Sequence, residues 1–177
     1  MKSFRQVMTV LMGMVWLAAC MVPASQAEPA LTVYLVRHAE KLTGDDPRLT
    51  EAGAARAERI ADIFEDVVLS GVYSTDTKRT RATAAPSAEQ AGLEIQIYDA
   101  GDMSPFAETL KAQSGVVLVV GHSNTIPTLA GLLTGRDEGG DLDESQYDVL
   151  YRIAFNRDGE PVSFLMSYDT LEASLAD

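Results

Sequence analysis

The stretch Leu31-Thr-Val-Tyr-Leu-Val-Arg-His-Ala-Glu40 decides the fold. Its run of β-branched and aliphatic residues lacks the alternation of a half-buried strand and predicts a strand buried on both faces, as in a parallel α/β sheet. The same pattern recurs in Val116-Val-Leu-Val-Val-Gly-His-Ser-Asn124. These runs end in His38 and His122, the two histidines of the chain. Ligands in such sheets bind at the carboxyl ends of strands, so both imidazoles share one crevice if the strands are neighbours.

Strand and helix patterns alternate outward from these two runs. Thr50 is the expected N-cap of a helix that fades near Asp66, and Pro86 predicts a kink or a restart in the helix between Thr77 and Gly92. The order predicts an α/β protein, a three-layer α/β/α sandwich with a mostly parallel central sheet and an antiparallel addition late in the chain. The expected strands are 31–36, 71–74, 94–98, 116–120, 149–155 and 162–168, and the expected helices are 51–66, 77–92, 104–113 and 126–133.

The first thirty residues have a different composition. Lys2 and Arg5 precede an apolar stretch over 7–19 that is too short for a comfortable membrane span and fits a secretory signal. We expect a lipoprotein-type signal peptide over 1–19, a tether over 20–30 and one domain over 31–177. Leu17-Ala-Ala-Cys20 resembles the bacterial lipobox, which predicts an exported protein at the cell envelope, lipid-anchored through Cys20 and facing the periplasm. Cleavage after Ala27, giving a soluble periplasmic or secreted protein, is the alternative.

The overall composition is that of a folded domain, with 46% hydrophobic and 23% charged residues. The formal net charge is −12, and loss of residues 1–19 removes two basic residues and no acidic one, giving −14. A chain this acidic lacks the basic face that nucleic-acid binding requires. Cys20 is the single cysteine, so no intramolecular disulfide can form.

Arginines accompany the two strand-end histidines. Arg37 directly precedes His38, and a Ser/Thr-rich segment leads into a helix whose first turns hold Arg79. A helix N-terminus attracts anions, and an arginine there can grip two phosphate oxygens. Lys78 and Arg81 are expected on a solvated face, since a helix cannot aim positions 78, 79 and 81 the same way. The combination indicates a site that handles phosphate.

Four motifs occur in one order: Arg37-His-Ala-Glu40, Leu49-Thr-x-x-Gly53, Tyr73-Ser-Thr-Asp-Thr-Lys-Arg-Thr-Arg-Ala-Thr83 and Gly121-His-Ser-Asn124. Together they resemble the histidine phosphatase (phosphoglycerate-mutase-like) superfamily. The short form, similar to bacterial phosphohistidine phosphatases, fits best. The resemblance spans residues 31–168.

The resemblance implies a role for each matching residue. His38 would be the nucleophile that forms a phosphohistidine, while Arg37, Arg79 and a protonated His122 would stabilise the phosphoryl oxygens. Neither a metal nor another cofactor is implied. Ala39 stands where the family has glycine, and its backbone carbonyl is still expected to orient the nucleophile's Nδ1–H.

The proton donor for the leaving group is the open part of this prediction. Asp102, followed by a helix start, is the first candidate, with Asp99 and Glu40 behind it. Without an acid, good substrates would have leaving groups of low pKa, such as phosphoramidates or aryl phosphates.

The sequence therefore predicts a metal-independent phosphatase acting on phosphomonoesters or phosphoramidates. A catalytically weak envelope module that binds phospho-ligands is the alternative. A phosphoglycerate mutase fits poorly with a secretion signal, and a metallohydrolase fits poorly with arginines in the pocket. The expected partner is a phosphorylated small molecule or a phosphoprotein, since the segments 41–48 and 136–144 are the only sizeable loops and predict an open pocket. The protein is expected to contact the membrane only through its lipid anchor. The sequence carries no signal for an oligomeric state.

Overall fold

The computed structural model describes residues 30–176. The predicted signal peptide, the lipidation at Cys20 and the alternative cleavage after Ala27 lie outside the described residues. The strands are β1 (Leu31–Arg37), β2 (Leu69–Ser74), β3 (Ile95–Ile97), β4 (Gly115–Gly121), β5 (Val149–Phe155) and β6 (Pro161–Ser167). The helices are α1 (Glu51–Ile63), α2 (Lys78–Ala91), α3 (Ser104–Lys111), α4 (Thr125–Thr134) and α5 (Tyr168–Leu175).

The six strands form one sheet in the order β3-β2-β4-β1-β5-β6. β3, β2, β4 and β1 are parallel. β5 pairs antiparallel with β1, and β6 pairs antiparallel with β5. The predicted neighbourhood of the two histidine-bearing strands is confirmed, because β1 pairs directly with β4. Their register places Arg37 opposite Gly121, so both strands end at the same edge of the sheet.

Two apolar layers cover the two faces of the sheet. One contains Tyr34, Val36, Ile60, Phe64 and residues of α2 and α5, and the other contains side chains of α3 and α4 packed on alternate residues of the same strands. All seven residues of β1 are buried, as expected for a strand covered on both faces. The predicted α/β/α sandwich with a mostly parallel sheet is confirmed.

Capping residues define the helices next to the site. Thr50 caps α1, with its side chain accepting the Gly53 N–H, and Thr77 caps α2 in the same way through the N–H of Thr80. Helix α2 runs through Pro86 without a restart and ends at Gly92, which is left-handed with φ 66°.

The chain end differs from the prediction. The strand expected over 162–168 ends at Ser167, and the unpredicted helix α5 follows at once. Ser167 supplies the reason, because its hydroxyl accepts the Thr170 N–H and caps the helix. Tyr168 and Leu171 then complete the apolar layer. Within residues 30–176, no helix is long and apolar enough to cross a membrane.

Candidate active site

The two histidines meet at the carboxyl edge of the sheet. The His38 N–H donates to the Gly121 carbonyl at 2.8 Å, which continues the β1–β4 pairing by one residue. The centroids of the His38 and His122 rings are 5.4 Å apart, with the rings at 67° to each other. The sequence-based expectation of one shared crevice therefore holds.

The residue after His38 fixes the orientation of its ring. Nδ1 of His38 lies 2.8 Å from the carbonyl oxygen of Ala39, so the proton resides on Nδ1 and the Nε2 lone pair remains free. The Ala39 N–H in turn donates to Oγ1 of Thr83 at 3.0 Å. Alanine in place of the family's glycine thus keeps the expected carbonyl contact.

The electrostatic setting keeps His38 neutral. The residue is 3% exposed. Burial lowers the pKa of His38 to about 4; the hydrogen bond to Ala39 acts in the opposite direction, and the charges of Arg37 and Arg79 add to the lowering. At neutral pH the ring is therefore an uncharged imidazole held in one tautomer.

Arg37 is turned toward the loop between α4 and β5. Its Nη1 lies 2.8, 3.1 and 3.2 Å from the carbonyl oxygens of Asp143, Glu144 and Gln146, and the Tyr147 ring centroid lies 4.3 Å from its guanidinium carbon. The loop between α4 and β5 therefore covers Arg37 on this side of the site. The reason is that a buried guanidinium needs acceptors, and the loop folds over to supply them.

Arg79 and a threonine hold His122. Nη2 of Arg79 lies 3.3 Å from Nδ1 of His122, and Oγ1 of Thr75 lies 2.9 Å from its Nε2. Since a guanidinium can only donate, Nδ1 is the acceptor and the Nε2–H points to Thr75. Burial, followed by the charges of Arg79 and Arg37, lowers the pKa of His122 to about 4. In the structure His122 is therefore neutral, whereas the resemblance implies a protonated form.

Both arginines retain hydrogen-bonding capacity. The Nε–H groups of Arg37 and Arg79 are buried and have no hydrogen-bond partner within residues 30–176. A buried donor without an acceptor is costly, and both of these donors belong to the arginines whose charges act on the two histidines. They suit an anionic ligand with several acceptor oxygens.

The chain that follows His38 is anchored on the start of α1. The Thr50 N–H donates to the Glu40 carbonyl at 2.9 Å. A Cβ built on Gly53 would lie 3.0 Å from both the carbonyl carbon and the nitrogen of Glu40, and closer still to the carbonyl oxygen. Gly53 therefore permits the helix to approach the backbone two residues after His38. This close approach accounts for the Leu49-Thr-x-x-Gly53 motif.

The structure does not join Asp102 to this cluster. Its Oδ1 accepts the Ser104 N–H at 3.3 Å, and no hydrogen bond or ion pair within the described range connects it to His38 or His122. The other two candidates are also engaged elsewhere. Asp99 accepts the Gly101 N–H at 2.7 Å, and Glu40 forms a bidentate pair with Arg56.

Two carboxylates that the sequence analysis missed do contact the arginines. Oε2 of Glu144 lies 3.2 Å from Nη2 of Arg37, and Oδ1 of Asp46 lies 3.6 Å from Nη1 of Arg79. Both come from loops, where no periodic pattern places a side chain. The left-handed backbone of Asp46, with φ 42°, is visible only in the structure.

No group of three or more His, Cys, Asp and Glu side chains within residues 30–176 is arranged to hold a metal ion. Arg37 and Arg79 place positive charge next to the histidines.

Comparison with known families agrees with this site. The model of the histidine phosphatase superfamily (branch 1) matches residues 33–100, which include His38 and Arg79. Over these residues the chain is similar to the histidine phosphatase superfamily, in agreement with the resemblance of its motifs. A search of curated proteins found no match.

Solved structures share the fold over most of their length. A mycobacterial glucosyl-3-phosphoglycerate phosphatase aligns with a TM-score of 0.62 and 14% identity, covering 77% of this chain and 97% of that one. Phosphoglycerate mutase from Bacillus anthracis gives 0.62 and 17%, covering 85% and 98%. SixA from Agrobacterium tumefaciens, described as a candidate phosphohistidine phosphatase, gives 0.52 and 25%, covering 73% and 94%.

Proposed function

We propose that this protein is a phosphatase that transfers a phosphoryl group from a phosphomonoester or a phosphoramidate to His38 and then to water. The orientation of His38 carries the proposal. Its Nδ1–H is committed to the Ala39 carbonyl at 2.8 Å, and burial keeps the ring neutral, so Nε2 presents a lone pair. A neutral imidazole fixed in one tautomer is a competent nucleophile.

The reaction then needs two displacements at phosphorus. In the first, a bond forms between Nε2 of His38 and phosphorus while the bond to the leaving group breaks. In the second, water attacks phosphorus, the N–P bond breaks, and inorganic phosphate leaves with His38 regenerated. The guanidiniums of Arg37 and Arg79 stabilise the charge on the phosphoryl oxygens in both steps and take the place of a metal ion.

We expect His122 to become protonated when the substrate binds. Its pKa of about 4 results from burial and from the positive charges of Arg79 and Arg37. A bound phosphoryl dianion opposes these effects and raises that pKa, so we expect protonation of His122 to accompany substrate binding. His122 then acts on the phosphoryl oxygens, while His38 alone carries the covalent intermediate.

The leaving group is expected to be one that departs readily. Asp102, Asp99 and Glu40 are all engaged away from the histidines, so an obvious carboxylic acid is lacking among the predicted candidates. Phosphoramidates and aryl phosphates, whose leaving groups need little help from a proton donor, are therefore expected to be better substrates than alkyl phosphates.

The test is turnover of p-nitrophenyl phosphate in EDTA. Wild-type protein is expected to release nitrophenol, and His38→Ala to release none above background. No release by wild type, or equal release by His38→Ala, would overturn the proposal. Binding of inorganic phosphate without turnover would favour the catalytically weak module, and loss of activity in EDTA with rescue by Zn²⁺ would favour a metallohydrolase.

A neighbouring pair of arginines provides a matched control. Arg79 contacts His122, whereas Arg81 on the same helix is 59% exposed and pairs with Asp76 at 3.0 Å. Arg79→Ala is expected to lose about a hundredfold in kcat, as for removal of one transition-state donor. Arg81→Ala is expected to stay within about twofold of wild type.

We also propose that the protein acts at the cell envelope, on the strength of the apolar stretch over 7–19 and the lipobox-like Leu17-Ala-Ala-Cys20. Labelled palmitate is expected to enter the wild-type protein and not Cys20→Ala. Labelling of neither would favour cleavage after Ala27.

A further inference from the structure

The loop between α4 and β5 places a carboxylate on the solvent side of Arg37. Oε2 of Glu144 lies 3.2 Å from Nη2 of Arg37. The loop is held in place because the Leu142 N–H donates to the Ser123 carbonyl at 2.9 Å and the Tyr147 ring covers the guanidinium. The Arg37 side chain is 1% exposed and that of Glu144 is 78% exposed. The negative charge of Glu144 therefore lies at the solvent-exposed edge of the site, here called the rim.

A second carboxylate lies beside the other arginine. Asp46 accepts the backbone N–H of Lys78 at 2.9 Å and forms an ion pair with Nη1 of Arg79 at 3.6 Å. Its φ of 42° makes it the one non-glycine residue between 30 and 176 with left-handed backbone. Such conformations are costly and concentrate at functional sites. Nζ of Lys78 lies 3.8 Å from Oδ2 and offsets part of this charge, so Glu144 is the stronger of the two.

These carboxylates leave one hydrogen-bond donor of each arginine unused. The Nε–H groups of Arg37 and Arg79 are buried and have no partner in the described part of the chain. Glu144 and Asp46 contact Nη2 of Arg37 and Nη1 of Arg79 and leave these Nε–H donors unused, so an anion that reaches the donors need not displace either carboxylate. The two acidic side chains would then lie next to the bound ligand.

The direction of attack decides which part of the ligand they meet. His38 is 3% exposed, whereas the Glu144 side chain is 78% exposed, so the carboxylate lies nearer to solvent than the imidazole does. In-line displacement puts the leaving group on the side of phosphorus opposite the nucleophile. The leaving group must therefore point outward, past the rim.

We infer that Glu144, assisted by Asp46, makes the enzyme select substrates whose leaving group carries a positive charge close to the phosphoryl group, such as an amine, over those that carry a carboxylate. This inference rests on the proposed phosphatase function. Near a protein surface, attraction between unlike charges and repulsion between like charges are still strong enough to change the binding free energy of a ligand. The loop strengthens the effect, because its other charges are mainly negative: Arg136, Asp137, Glu138, Asp141, Asp143 and Asp148.

The test uses three alkyl phosphates of similar size: O-phosphoethanolamine, 2-hydroxyethyl phosphate and phosphoglycolate. Their competitive inhibition constants are measured against p-nitrophenyl phosphate turnover at low ionic strength. Wild type is expected to bind the ammonium compound most tightly and the carboxylate compound least. Glu144→Gln is expected to reduce the preference for O-phosphoethanolamine over phosphoglycolate, expressed as the ratio of their inhibition constants, by roughly tenfold.

Control variants distinguish the effect of the rim carboxylates on ligand binding from the effect of the net charge of the protein. Glu65→Gln makes the same charge change just beyond the C-terminal end of α1 and is expected to keep the wild-type ratio. Asp46→Asn retains an acceptor for the Lys78 N–H and a residue that tolerates positive φ, and it is expected to reduce the ratio less than Glu144→Gln does.

The outcomes distinguish this inference from the proposed function. Turnover of p-nitrophenyl phosphate with the same ratio in wild type and Glu144→Gln would overturn the charge selection and leave the phosphatase intact. A ratio that falls equally in Glu65→Gln would also overturn it. Absence of p-nitrophenyl phosphate turnover would overturn both.

Discussion

Replacement of Gly53 by alanine is expected to damage both stability and activity. The new Cβ would lie 3.0 Å from the carbonyl carbon and the nitrogen of Glu40, whereas carbon contacts are comfortable at about 3.5 Å or more. The start of α1 must therefore retreat by several tenths of an ångström or more. The retreat would weaken the Thr50 N–H···O=C Glu40 bond, now 2.9 Å long. Overpacking costs about 1–3 kcal/mol and the weakened hydrogen bond about 1 kcal/mol, so the free energy of unfolding is expected to fall by roughly 2–4 kcal/mol.

Gly140→Ala is the matched control, since a Cβ there meets nothing within 4 Å and its φ is not left-handed. Urea unfolding measures the loss, and p-nitrophenyl phosphate turnover reports whether displacement of Glu40 reaches His38. We expect Gly53→Ala to unfold at a clearly lower urea concentration than wild type and to have a reduced kcat. Gly140→Ala is expected to match wild type in both measurements. A Gly53→Ala protein within about 0.5 kcal/mol of wild type and with an unchanged kcat would refute the reasoning.

Three further outcomes are expected. Burial holds the pKa of His38 at about 4, below the 6.5 of an unfolded chain, so the unfolded state binds protons first and stability falls as the pH drops from about 6.5 toward 4. Urea unfolding at pH 7 and pH 4.5 should show a smaller loss for His38→Gln than for wild type; an equal loss would contradict the assigned cause. Thr75→Val removes the partner 2.9 Å from Nε2 of His122 and should lower kcat by about tenfold, with Thr75→Ser close to wild type in the same assay. Arg56→Met leaves the partly buried Glu40 carboxylate without its bidentate partner and should raise the pKa of Glu40, as measured by NMR titration; an unchanged pKa would show that Arg56 does not cause the lowering.

The strands and the strand-end histidines could be predicted because their signal is local. Unbroken apolar runs before His38 and His122 indicate strands buried on both faces, and the pairing of β1 with β4 brings the two rings within 5.4 Å. The caps at Thr50 and Thr77 are also local, since one hydroxyl satisfies a backbone N–H three residues on.

The rim of the site could not be predicted because it depends on long-range contacts between loops. Arg37 binds carbonyls more than a hundred residues away, and neither Glu144 nor Tyr147 belongs to a periodic pattern. The choice of Asp102 relied on its position before a helix, but a carboxylate in that position satisfies the backbone of Ser104. The neutral state of His122 likewise follows from three-dimensional burial between arginines.

The central claim is that His38, and not His122, carries the phosphoryl group. The most direct test is to mix the protein with phosphoramidate, quench in base to preserve a phosphoramidate linkage, and locate the added phosphoryl group by mass spectrometry. We predict one phosphoryl group on the peptide that contains His38, absent from His38→Ala. A phosphoryl group on His122, or turnover by a protein in which His38 is never labelled, would contradict the account.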